Sequence, residues 1–140
     1  MKQVLGYLSM AALAVLLAPP VSAQIIKLKA TVPFDFAVDG HTMPAGDYVV
    51  TTDDVRVLAL QNVHGGAPPT FILSNPPDGP GDRGEAFLAF HRYGGDYFLA
   101  KIWDGYTAQG RSIRISPAEQ ERANRASINK PEVVMVLARR

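Results

Sequence analysis

From residue 25 onward the hydrophobic positions alternate with polar ones at a period of two. Over Ile25–Val32, Ile26, Leu28, Ala30 and Val32 fall on one side and Lys27, Lys29 and Thr31 on the other. One apolar and one charged face predict a half-buried β-strand. Pro33 has no N–H to give to a ladder, so the strand there lies at a sheet edge or is bulged. The alternation resumes in phase, with Phe34, Phe36 and Val38 inward and Asp35 and Asp39 outward.

The longest paired pattern is Gly84–Trp103, where two apolar and aromatic runs flank Gly94-Gly95. A Gly-Gly pair supplies the positive φ angles of a two-residue hairpin turn. The segment is therefore expected at the centre of a sheet, with Tyr93 opposite Asp96, Arg92 opposite Tyr97 and His91 opposite Phe98. One face collects Phe87, Ala89, His91, Phe98, Ala100 and Ile102, and it is the better core candidate. The other collects Leu88, Phe90, Arg92, Tyr97, Leu99, Lys101 and Trp103. Its long cations can lie flat while keeping their charge in water.

Between these segments the turn chemistry is dense. Asp39-Gly40 is a turn signal, and Met43-Pro44-Ala45-Gly46 fits a type I turn with proline second and glycine fourth. Strands are expected at Asp47–Thr52, Val55–Asn62 and Thr70–Ser74, with Asp53-Asp54 as a tight turn. Asn75–Gly84, with three prolines and three glycines, reads as an exposed loop. Arg111–Ile115 makes a further short strand. Ser116-Pro117-Ala118-Glu119 is a capping box with proline at the first helical position, opening a short polar surface helix to Ala126. Pro131 precedes a last strand, Glu132–Ala138, expected to be buried on both faces and to close the sheet system.

About eight short strands, closely spaced turns and one C-terminal surface helix predict a mainly β domain. The architecture is an antiparallel β-sandwich or a small barrel. The strands are shorter than the ~9–11 residues that cross a membrane in a lipid-facing barrel.

The first 23 residues have a different pattern. Lys2 precedes an almost wholly apolar run, Val4–Ala18, then Pro19-Pro20 and the small-residue site Val21-Ser22-Ala23. This is the layout of a secretory signal peptide cut after Ala23, leaving 24–140 as a periplasmic or secreted β-rich domain. The apolar run is shorter than the ~20 residues of a membrane span, so no stable membrane anchor is expected after cleavage. There is no cysteine. An exported chain without cysteine has no disulfides and cannot be acylated as a lipoprotein, so its stability rests on burial. The formal net charge is +1, and Lys2 leaves with the leader. The neutral remainder lacks the basic excess of a nucleic-acid binder, and nothing in it suggests steering to anionic membranes.

Val32-Pro33-Phe34-Asp35-Phe36 followed by Met43-Pro44-Ala45-Gly46-Asp47-Tyr48 resembles a family of small exported bacterial proteins with V-P-F-x-F and L-P-A-G-x-Y motifs. Met43 stands where leucine is commoner. Phe90-His91-Arg92-Tyr93-Gly94 is similar to that family's middle motif, and Glu119-Gln120-Glu121 with Glu132-Val133-Val134 to its ending. The resemblance implies an architecture and a compartment. The family carries no assigned activity, so it implies no catalytic residue.

Candidate chemistry is sparse. His41, His64 and His91 are far apart in sequence, and a zinc site would need the fold to join them with a carboxylate. His91 reads more simply as a core or rim histidine. Asp78, Asp82 and Glu85 put three carboxylates in a glycine-rich loop, but their spacing is not that of a calcium-binding loop, and a solvated turn is the plainer account. No Gly-x-Ser-x-Gly elbow exists, and Glu85, Asp96 and Asp104 are the carboxylates a glycosidase pair would have to use. The best binding candidate is the face with Arg92, Tyr97, Lys101 and Trp103, where aromatics beside cations could stack a sugar or hold a partner. The competing account is that this face covers a second sheet or lies under the helix. The expectation is a non-catalytic binding or structural module of the envelope, without a cofactor, that meets an unknown envelope or extracellular partner. A small metal-dependent envelope enzyme and a surface protein self-associating through the edge near Pro33 are the alternatives.

Overall fold

The computed structural model describes residues 26–52, 56–76, 84–105, 110–127 and 130–140. The expected leader, the Asp53-Asp54 turn and loop residues Asp78 and Asp82 lie outside them. The described chain forms β1 (Ile26–Val32), β2 (Phe36–Val38), β3 (His41–Met43), β4 (Gly46–Thr52), β5 (Val57–Asn62), β6 (Thr70–Asn75), β7 (Ala86–Tyr93), β8 (Asp96–Trp103), β9 (Gly110–Ile113), α1 (Pro117–Ala126) and β10 (Glu132–Arg139). Eight of these strands close into an antiparallel barrel in the order β1-β4-β5-β6-β9-β8-β7-β10 and back to β1. The fold is thus mainly β, and of the two expected architectures it is the barrel. The helix lies where the capping signal placed it.

Alternation along each strand sends one side chain in two to the interior. Leu28, Ala30 and Val32 of β1 enter it, with Tyr48, Val50, Leu58, Leu60, Ile72, Leu88, Phe90, Leu99, Ile102 and Ile113 from the other strands. These residues fill the barrel, so its centre is a packed core.

One end of the barrel is closed by the segment after Pro33. The chain leaves β1, passes β10 and β7, and joins β8 through the parallel pair Ala37↔Phe98. Phe34 stacks on Tyr97 at 3.8 Å between ring centroids and meets Phe90 edge-on at 4.9 Å. Phe36 meets Phe90 and Tyr48 edge-on, each at 5.2 Å. Edge-on and offset contacts are the arrangements that aromatic quadrupoles favour. Asp35 accepts from the Ala45 N–H at 2.8 Å, and the Tyr48 hydroxyl donates to the Pro44 carbonyl at 2.5 Å. The Phe-x-Phe and Pro-Ala-Gly-x-Tyr residues therefore build one plug.

The central hairpin departs from its simple pattern in two ways. Positive φ falls on Gly94 alone (64°), not on both glycines. The pairing runs as expected from Tyr93↔Asp96 to Phe90↔Leu99, and then Ala89 pairs with Lys101. Ala100 is the extra residue of a β-bulge, which reverses the facing of everything beyond it. Leu88, Phe90, Leu99 and Ile102 are all interior, so the core face is not the one the uninterrupted pairing selects. β10 also differs from expectation. It closes the barrel, but its outward Val133, Met135 and Leu137 are 57%, 64% and 66% exposed.

Phe90 is fully buried and touches both plug phenylalanines. Phe90→Ala is expected to cost about 3–5 kcal/mol of stability in denaturant unfolding. Lys101→Ala, on the half-exposed outer wall, should change stability by no more than about 0.5 kcal/mol.

Candidate functional site

The bulge divides the binding face expected from the sequence. Arg92 and Tyr97 do pair, with the guanidinium 5.5 Å from the ring centroid. Both are already engaged. Phe34 stacks on Tyr97, and the Arg92 Nε donates to the Gly94 carbonyl at 2.8 Å while its Nη1 lies 3.6 Å from Glu132. Lys101 and Trp103 pair with Ala89 and Phe87, which places them on the opposite, outer side of the wall. Trp103 is 2% exposed, lies near-parallel to Phe87 at 6.4 Å, and faces Gly110, where a Cβ would come within 2.2 Å of the indole. The four residues do not form one continuous surface.

Glu85, the described member of the weak metal set, is exposed. Among the described residues no three His, Asp or Glu side chains are grouped so as to hold a metal ion. His41 is exposed on β3. His64 and His91 each bond a carboxylate, in two separate clusters.

The first cluster fastens the helix. Ser116 caps α1 by accepting from the Glu119 N–H at 3.2 Å. The reciprocal half of the capping box is not formed, because the Glu119 carboxylate is buried in the barrel wall instead. There its Oε1 lies 2.6 Å from His91 Nδ1 and accepts from the Tyr93 hydroxyl at 3.1 Å. One turn on, the Arg122 Nε donates to Asp96 Oδ2 at 2.5 Å and its Nη2 to the Tyr93 carbonyl at 3.2 Å. Glu119 and Arg122, one turn apart on α1, thus tie the helix to the β7–β8 hairpin. Burial, and then the neighbouring Glu119 charge, push the Tyr93 phenol up to about 12.

The second cluster belongs to a groove on the outer wall, which sequence reasoning did not single out. β1 and β10 are paired only at Lys29↔Arg139 and Ala30↔Ala138; Thr31 and Val32, just before Pro33, pair with β4 alone. Along β1 and β4 by contrast seven pairs form. The seam beside β10 therefore opens into a groove of about 910 Å³, whose lining includes Lys27, Lys29, Arg139, Asp47, Val63 and Leu137. Lys27 and Lys29 project on one side of β1, and Arg139 stands directly opposite Lys29. Like charges face to face across a ladder are destabilising. Among the described residues neither lysine forms an ion pair. Asp47 is the one carboxylate among the described lining residues. It is already used: Thr31 Oγ1 donates to it at 2.5 Å and His64 Nε2 lies at 3.0 Å. The Thr31 bond first, then His64, and the Arg139 charge more weakly, hold its carboxyl below the usual aspartate range. The alternation in Ile25–Val32 already put Lys27 and Lys29 on one face. Arg139 is more than a hundred residues away, and only strand register brings it there.

Comparison of the chain with protein-family models, curated proteins and solved structures finds no match.

Two measurements check these placements. Tyr93 is neutral in the folded protein, and its raised pKa means that its contribution to stability is complete below the usual tyrosine range near 10 and is lost as pH rises through about 12. Spectrophotometric titration should therefore show a tyrosine ionising near pH 12. In Glu119→Ala that step should move only part of the way toward 10, since burial, the larger cause, remains. The same variant leaves His91 and Tyr93 without their acceptor and should lose about 1–3 kcal/mol. Trp103, the single tryptophan, should show blue-shifted emission resistant to acrylamide, whereas an indole on an open binding face would be quenched.

Proposed function

We propose that the protein is a non-catalytic exported β-barrel that serves as a binding module of the cell envelope, periplasmic or outside the cell, and works through its outer wall. The observation that carries this reading is the contrast between the two sides of the wall. The interior is occupied by close-packed apolar side chains, while the outer groove along β1, β4 and β10 gathers cations beside exposed apolar residues. The leader pattern and the resemblance to small exported bacterial proteins support the compartment. A cofactor or catalytic metal has no part in it.

A second reading, self-association, is favoured by one observation. Among the described residues Glu132–Leu137 has no ladder partner on the side facing β1, and three apolar side chains stand exposed along it. Unpaired apolar edges are templates for another strand.

Two results are expected. The protein recovered from the envelope or medium begins at Gln24; a cytosolic chain beginning at Met1 would remove the basis for export. A photo-crosslinking residue in place of Gln61, in the groove, forms adducts with an envelope component, whereas one in place of Gln120, on the exposed side of α1, does not. Adducts at Gln120 alone would move the working surface to the helix.

A further inference from the structure

We propose that the β1–β4–β10 groove docks the protein on an anionic phospholipid surface, with Lys27, Lys29 and Arg139 receiving the lipid phosphates. This deepens the outer-wall reading above and rests on it. The argument joins three independent features of the wall. First, a chain with a formal net charge of only +1 has placed three cations within one stretch of two adjacent strands, two of them opposite each other in register. The repulsion is relieved by an anion between them, and the one described lining carboxylate is already bonded to Thr31 and His64. Second, the groove does not end in polar surface. From Arg139 the outward positions of β10 continue as Leu137, Met135 and Val133, all more than half exposed. Cations followed by a strip of exposed aliphatic side chains match, in order, the phosphate and the upper hydrocarbon of a lipid leaflet. Third, the strip lies on a strand paired to β7 at seven positions, so docking orders side chains but no backbone. A second copy of the chain paired along β10 would cover the aliphatic strip; an anionic lipid covers it and also brings negative charge to Lys27 and Lys29 on β1.

Vesicle flotation tests this with the protein in the form that cells export. Phosphatidylglycerol-containing vesicles should bind at least about tenfold better than phosphatidylcholine vesicles, with the difference shrinking as salt is raised. A basic residue at an anionic surface is worth about fivefold in binding. Lys29→Gln with Arg139→Gln should therefore weaken binding more than tenfold. Met135→Ser with Leu137→Ser should weaken it severalfold on both vesicle types; these side chains are exposed, and an unchanged melting temperature verifies folding. Equal binding to the two vesicle types, or full binding by the doubly neutralised variant, overturns the proposal. So does complete competition by millimolar inorganic phosphate, which would make the groove a site for free phosphate. A dimer in sedimentation that dissociates in Met135→Ser/Leu137→Ser but not in Lys29→Gln/Arg139→Gln, without vesicle binding, assigns the strip to a second copy and likewise overturns it. Crosslinks at position 61 that persist without vesicle binding refute the lipid while leaving the outer-wall reading standing.

Discussion

One extra residue in β8 decides which side chains build this barrel. Without Ala100 out of register, strict alternation would put Lys101 and Trp103 on the same side as Leu99 and leave Ile102 outside. A lysine at that position would bring a charge into an apolar core, which costs far more than a bulge. With the bulge, Leu99 and Ile102 both join Leu88 and Phe90, and the indole moves to the outer wall. Its new neighbour must be small, and Gly110 is where β9 meets Trp103 in register. The pairing of β8 with β9 is also what closes the sheet on itself. Core composition, closure and the burial of Trp103 thus hang on one local irregularity.

Pro33 has the complementary effect at the other side of the barrel. It cannot donate to a ladder, so β1 ends at Val32 while β10 continues. The freed chain does two things at once. Phe34 and Phe36 cover the end of the core against Phe90, Tyr97 and Tyr48, and the seam between β1 and β10 is left open below them. The V-P-F-x-F and P-A-G-x-Y patterns are accounted for by this plug: proline to leave the sheet, two aromatics to seal it, and Asp35 and Tyr48 to fix the returning turn. They record an architecture, and the open seam is its by-product on the surface.

What was legible in the sequence was local. Alternation located the strands, and Ser116-Pro117 located the helix start. The Gly-Gly turn set the hairpin register correctly from Tyr93 back to Phe90. The bulge was not legible because Ala100 is small and ordinary; only the burial of its neighbours shows which residue the ladder skips. The capping-box pattern gives Glu119 a local bond, but the fold offers His91 and Tyr93 as partners from a distant strand. The helix is therefore docked through a buried carboxylate and Arg122, with Ala123 and Ala126 half-buried on the same face and Ala118 exposed. The groove escaped for the same reason. Lys27 and Lys29 are an ordinary polar face until Arg139 is placed beside them, and that requires knowing that the last strand returns next to the first.

A formal net charge near zero describes the sum and hides the distribution. Around α1, Arg122 and Arg125 are matched by Asp96 and Glu121, and Arg92 by Glu132. On that side of the molecule opposite charges lie within contact of one another, and their field cancels over a few ångströms in salt. At the seam they do not cancel, since two lysines and an arginine share one carboxylate that is spent on Thr31 and His64. Neutrality overall removes long-range steering toward anionic partners, but it leaves short-range attraction intact wherever like charges are segregated. On the lipid-docking proposal, a surface of that kind discriminates only on contact, once the aliphatic side chains of β10 are against the membrane. Specificity then comes from needing both halves at once, which neither a bare anion nor a bare apolar surface supplies.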